Sequence, residues 1–178
     1  ATNEVGESAL LAAVRNAHSD IALFLIESGA DIEHPPALVE AVSSKNANIA
    51  HILIENGADI NSHAKWSGDT ALMLAASNGM GDLAKRLVEN GADINDTNEV
   101  GESALLVAVR NAHADIALLL IENGADINSR DKWNGDTALM LAASIGSDDL
   151  AQLLIENGAD INATNNFGSS AVMMAEMN

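Results

Sequence analysis

No cysteine occurs among the 178 residues, so a disulfide scaffold, a thiolate zinc site and a cysteine nucleophile are all excluded. Aromatic residues are nearly as scarce, limited to Phe24, Trp66, Trp133 and Phe167, with no tyrosine. A core must therefore come from Ala, Leu, Ile and Val, which favours close helix packing over a β-sandwich rich in aromatic and β-branched residues. Basic residues number 8 against 26 acidic ones, and the formal charge of -18 repels phosphate backbones and anionic membrane surfaces. Nucleic acid is excluded as a partner on that ground. No apolar run approaches the roughly 18 residues of a membrane span, and Ala1-Thr2-Asn3-Glu4 lacks the basic and apolar stretches of a secretion signal. The chain is expected to be soluble, monomeric and cytoplasmic. What is present in quantity is apolar surface: 48% of the residues are hydrophobic, enough for an ordinary core.

Self-similarity organises the chain. The string Gly-Ala-Asp-Ile begins at Gly29, Gly57, Gly91, Gly124 and Gly158, at spacings of 28, 34, 33 and 34 residues. Residues 2–33 match residues 97–128 at 27 of 32 positions, and residues 65–95 match 132–162 at 24 of 31, an identity that implies recent duplication or deliberate construction. A single domain over 1–178 is expected, with units at about 1–34, 35–63 (shortened), 64–97, 98–130, 131–164 and 165–178 (partial).

Within one unit, Ser103 supplies an N-cap for a first short helix ending near Asn111. After Ala112-His113-Ala114, residues Ile116, Leu119, Leu120 and Ile121 fall at helical spacing, and Gly124 stands where a left-handed C-cap is needed. The remainder is Gly, Asp and Asn chemistry suited to a projecting turn, here called a finger. Helices shorter than about 12 residues are marginal in water, so neighbouring units must bury one another's apolar faces. The expected fold is an all-α repeat solenoid of stacked helix–turn–helix units with projecting β-turn fingers.

These motifs resemble the ankyrin-repeat family over nearly the whole length. The resemblance rests on Gly-Asp-Thr-Ala-Leu-Met-Leu-Ala-Ala at 68–76 and 135–143, and on Leu-Leu-Ile-Glu-Asn-Gly-Ala-Asp-Ile-Asn at 119–128 and 153–162. The family's Thr-Pro-Leu-His is replaced by Thr-Ala-Leu-Met at 70–73 and 137–140 and by Ser-Ala-Leu-Leu at 8–11 and 103–106. Losing that Pro and His removes a preset φ and a polar link to the cap, which predicts a weaker array. Arg86 stands where the sister unit has Leu153 and should weaken packing unless its guanidinium reaches solvent. In the second unit His34-Pro35-Pro36-Ala37 replaces the finger. Prolines cannot donate ladder hydrogen bonds, so a short link and a notch in the finger row are expected; a tolerated surface deletion is the plain alternative.

Other motifs carry little chemistry. Gly79-Met80-Gly81-Asp82-Leu83-Ala84 spells part of a dinucleotide turn, but a helix precedes it and the sister segment at 146–151 lacks the second glycine. Ser8 and Ser103 lack the closing glycine and strand of a nucleophile elbow and read as caps. His18 and His113 lie a unit or more apart, and His34, His51 and His63 are scattered singly, without a ligand pair at metal spacing. No catalytic, cofactor or metal site is expected.

Ten acids recur with the repeat and describe the fold. Glu4, Glu7, Asp69, Glu99, Glu102 and Asp136 flank the fingers and first-helix starts, where they either answer the helix dipole or steer a basic partner. Val5, Trp66, Val100, Trp133 and Phe167 form an apolar series, one per finger with the shortened unit skipped. They serve either as anchors for a partner or as packing between fingers. In ankyrin proteins the fingers and the concave row of first helices are the usual binding surface. The resemblance therefore implies a non-enzymatic scaffold for another protein, and the surplus of acids favours one with a basic surface. Its binding residues would be the five finger residues, Asp69, Glu102 and Asp136, and the first-helix ends Arg15, Asn16, Ser77, Asn78, Arg110, Asn111, Ser144 and Ile145. The alternative is a structural segment of a longer or engineered array with no ligand of its own, since Val172, Met173, Met174 and Met177 make a poor polar cap.

Overall fold

A computed structural model describes residues 8–33 and 36–176. Its helices fall into two compact units divided after Ala92. Unit 1 holds the pairs α1 (Ala9–Arg15) and α2 (Ser19–Glu27), α3 (Ala37–Ser43) and α4 (Ala47–Glu55), and α5 (Ala71–Asn78) and α6 (Gly81–Glu89). Unit 2 holds α7 (Ala104–Arg110) and α8 (Ala114–Glu122), α9 (Ala138–Ser144) and α10 (Asp148–Glu156), and α11 (Ala171–Glu176). Within each unit the two helices of a pair pack together, first helices pack on first helices, and second helices on second. The fold is thus the expected helical repeat stack.

Two sequence features explain the close packing. An alanine recurs at the fifth position of each first helix that has a partner helix, as Ala13, Ala41, Ala75, Ala108 and Ala142, and all five are buried. Larger aliphatic side chains such as Leu38, Leu53, Leu105 and Leu120 fill the space between helices at 0–1% exposure. Burying each leucine contributes about 2 kcal/mol, which the short helices need in place of length.

Helix starts follow the cap chemistry. Ser8 Oγ accepts from Leu11 N at 3.1 Å, Thr70 Oγ1 from Met73 N at 3.3 Å, and Ser103 Oγ and Thr137 Oγ1 do the same at 3.4 Å. Pro36 at the start of α3 offers no side-chain bond. Helix pairs turn through a left-handed residue. Gly79 and Gly146 take this position in two pairs, but Ala17, Lys45 and Ala112 occupy it in the others at φ of 57 to 59°, a conformation costing L-residues about 1–2 kcal/mol. Gly79 therefore ends α5 and Met80 leads directly into α6, a helix–turn–helix that leaves no phosphate-binding strand turn.

Candidate interaction surface

The fingers rise between the second helix of one pair and the first helix of the next, closed at their bases by bridges pairing His63 with Thr70, Arg130 with Thr137 and Thr164 with Ser170. In unit 2 each finger is built around one buried Asn or Asp. Asn98 Oδ1 accepts from Val100 N and Glu102 N at 3.1 and 2.9 Å. The Asp131 carboxylate accepts from Trp133 N, Asn134 N and Asp136 N at 2.8, 2.7 and 3.2 Å. Asn165 Oδ1 accepts from Phe167 N and Ser169 N, both at 3.0 Å. Short acceptor side chains of this kind replace a backbone turn bond and stiffen the loop.

Backbone bonds join these fingers to one another. Lys132 N donates to Val100 O at 3.0 Å, and Asn166 N to Asn134 O at 2.8 Å. Such approach needs glycine: at Gly101, with φ of +78°, an added Cβ would stand 2.9 Å from Lys132 N.

The apolar series is presented outward. Trp66, Trp133 and Phe167 are 85%, 74% and 75% exposed; Val100 is half-buried and lies beside Trp133. Val5 lies outside the described residues. Lys65 Nζ sits 5.1 Å from the Trp66 ring centroid, a cation–π contact on a solvated indole.

The charged candidates divide. Glu102 and Asp136 are 7% and 6% exposed. Glu102 forms an ion pair with Arg110, and Asp136 Oδ1 accepts from Asn165 Nδ2 of the next finger at 2.7 Å. Both therefore support the surface from below. Arg15 reaches across to Glu40 on α3 at 2.7 Å. Asn16 and Asn111 use their amides on their own helices, donating to Ala12 O and Val107 O. Asn78 donates to Val42 O at 3.2 Å, stitching α5 to α3. Asp69 is half-buried, and Ser77, Ser144 and Ile145 are exposed. Arg86 turns outward, pairing with Glu55 on α4 at 2.6 Å.

Among the described residues the fingers frame a groove in each unit. In unit 1, Leu11, Val39 and Leu74 of three first helices form a bed against Trp66, with a volume of about 400 Å³. In unit 2, Val100, Glu102, Arg110, Asp131 and Trp133 frame a space of about 230 Å³. Among the described residues no group of three or more His, Cys, Asp or Glu is placed to hold a metal, and no helix is long and apolar enough to cross a membrane.

Two supports escaped the sequence reading. One is the buried finger residue at 98, 131 and 165. The other is the last Asn of Gly-Ala-Asp-Ile-Asn, which ties repeats together: Asn95 donates to Gly124 O at 3.1 Å and accepts from Asp126 N at 2.8 Å. Its recurrence at Asn61, Asn95, Asn128 and Asn162 was the available signal.

Within each unit, stacked helix pairs with projecting turns define a repeat protein whose exposed turns are its distinctive surface. Family models for ankyrin repeats match residues 38–131 as three copies, and single ankyrin repeats match 134–166 and 5–34. The chain belongs to the ankyrin-repeat family. A search of curated proteins returned no match to it.

Proposed function

We propose that the chain is a non-enzymatic scaffold that holds another protein on its fingers and first helices. Ankyrin repeats are in general protein-interaction modules, typically without catalytic activity of their own. The observation that carries the reading is the exposure of Trp66 and Trp133 at finger tips in a protein with only four aromatic residues. Rigid indoles standing in water lose little entropy on binding, and tryptophan is enriched among residues that dominate interface energetics. The surplus of acids favours a partner with a basic surface, attracted more strongly at low salt. Within the expected set, Trp66, Trp133, Phe167, Ser77, Ser144 and Ile145 present the contacts, while Glu102, Asp136, Asn16 and Asn111 hold the frame.

The experiment is affinity capture at low and high salt with the Trp66→Ala/Trp133→Ala chain. Capture is expected to weaken more than about thirtyfold, the loss of at least about 2 kcal/mol typical of such anchors, with the circular dichroism unchanged. Undiminished capture by a folded double variant removes the reading.

A second reading, a structural array segment without a ligand, draws on different residues. Ile21 and Phe24 on α2 are 52% and 68% exposed, whereas Ile49 and Leu83, the counterparts of Ile21 on α4 and α6, are at 0% and 2%. Val172 and Met173 on α11 are likewise exposed.

A further inference from the structure

Glycine follows asparagine six times in the chain, after Asn56, Asn78, Asn90, Asn123, Asn134 and Asn157. In such a pair the glycine nitrogen, with no side chain beside it, is free to attack the asparagine amide carbon and expel ammonia. The following residue, which sets this reactivity, is the same in all six, but the fold separates them. Asn56, Asn90, Asn123 and Asn157 each donate Nδ2–H to the carbonyl four residues back at 2.8 Å, and Asn78 donates to Val42 O at 3.2 Å. The glycines after them are held as well. Gly57, Gly91, Gly124 and Gly158 donate N–H to Ile54, Val88, Ile121 and Ile155 carbonyls at 3.0 to 3.1 Å, and Gly79 donates to Ala75 O. In five pairs, both the leaving group and the nucleophile are tied into helices.

Asn134–Gly135 stands apart. It lies in the finger next to Trp133, away from any helix end, and Asn134 is exposed. The fingers bonded to it on either side, at 98–102 and 164–170, are described throughout. Among the described residues neither the Asn134 side-chain amide nor the Gly135 N–H has a hydrogen-bond partner. The matching glycines of the other fingers do bond theirs: Gly68 to Ala64 O at 3.0 Å, Gly101 to Asn98 O at 2.9 Å and Gly168 to Asn165 O at 3.0 Å.

We propose that Asn134–Gly135 is a site of spontaneous covalent modification that alters the Trp133 finger as the protein ages. Gly135 N, deprotonated by hydroxide, attacks Asn134 Cγ. The N–Cγ bond forms, the Cγ–Nδ2 bond breaks, and ammonia leaves with a proton taken from water, which regenerates hydroxide. Water then opens the resulting succinimide. Cleavage at Cγ leaves an aspartate at position 134, whereas cleavage at the main-chain carbonyl carbon leaves an isoaspartyl link, in which the chain runs through the former side chain. Either product places a carboxylate one residue from the exposed indole. The isoaspartyl link also turns the Asn134 carbonyl, which accepts from Asn166 N at 2.8 Å, into a free carboxylate and inserts a carbon before Gly135. Gly135 packs so closely on Asn166 that an added Cβ would stand 2.6 Å from Asn166 Oδ1, so the extension breaks the tie between the two fingers. The Trp66 finger carries Ser67 in place of Asn134 and lacks this chemistry. The modification needs no partner and stands independently of the binding reading; on that reading, it changes the support of one anchor and leaves the other intact.

The test is a peptide map by mass spectrometry of the full chain incubated at neutral pH, with aspartyl and isoaspartyl peptides separated by chromatography. Conversion at Asn134 is expected to run at least about tenfold faster than at any of the other five, which must first open a hydrogen bond. In urea, where all six are released, the rates are expected to converge. The converted chain is expected to lose hydrogen-exchange protection of the Asn166 amide, and Asn134→Ser, which copies the Trp66 finger, to keep it through the same incubation. Conversion at Asn134 no faster than at a helix-bound asparagine overturns the proposal. So does an excess at Asn134 that persists undiminished in urea, because the sequence and not the fold would then set the rate. An Asn166 amide still protected in the isoaspartyl chain overturns the claimed effect on the finger.

Discussion

Trp133 and Trp66 crown nearly identical sequences, Lys132 to Ser144 and Lys65 to Ser77, yet they stand on different foundations. Beneath Trp133 the Asp131 carboxylate gathers three backbone N–H groups, and the finger is bonded by its backbone to both neighbouring fingers in unit 2. Beneath Trp66 the same position is Ala64, and the turn carries Ala64 N to Asp69 O at 2.8 Å, Gly68 N to Ala64 O at 3.0 Å and Asp69 N to Ser67 Oγ at 3.3 Å in place of a carboxylate hub. The interval before the Trp66 finger is also the short one, 28 residues where the others are 33 or 34. Exposure of an anchor and rigidity of its support are therefore separable in this fold. The repeat sets the first, and single side chains at the finger base set the second.

Exchanging the foundations should produce the largest effect. Asp131→Ala leaves three N–H groups without their acceptor and is expected to cost about 2 kcal/mol. The reciprocal Ala64→Asp should gain about 1 kcal/mol by supplying an acceptor for the Trp66 and Ser67 N–H groups. Urea denaturation followed by circular dichroism reads both; equal and negligible changes would mean that the two fingers are held alike. A smaller difference is expected between the two arginines at the ends of α1 and α7. Arg110→Ala strands the buried Glu102 and should cost about 1.5 kcal/mol, whereas Arg15→Ala breaks a pair with side chains 49% and 28% exposed and should cost under about 1 kcal/mol. Thermal unfolding of the two variants gives the ranking, and a larger loss from Arg15→Ala would reverse it.

The repeat, the helix pairs and the serine and threonine caps were legible because each follows from local pattern: a fixed period, apolar spacing of three and four, and an acceptor before a helical run. Glycine chemistry was equally readable, as at Gly79, where a C-cap competes successfully with a phosphate-loop reading. The site was legible only in part. Trp66 and Trp133 stand out because aromatics are rare. The burial of Glu102 and Asp136 did not show, since composition assigns carboxylates to water and only the fold brings Arg110 and Asn165 to meet them. Nor did anything in the sequence mark Ala17, Lys45 and Ala112 as left-handed; packing of the helix pair imposes that conformation against their own preference.

Whether the exposed fingers bind a partner is read most directly by affinity capture with the Trp66→Ala/Trp133→Ala chain beside the unaltered one. Capture is expected to weaken by at least about thirtyfold with the circular dichroism unchanged. Undiminished capture by the folded double variant would contradict a role for the exposed indoles.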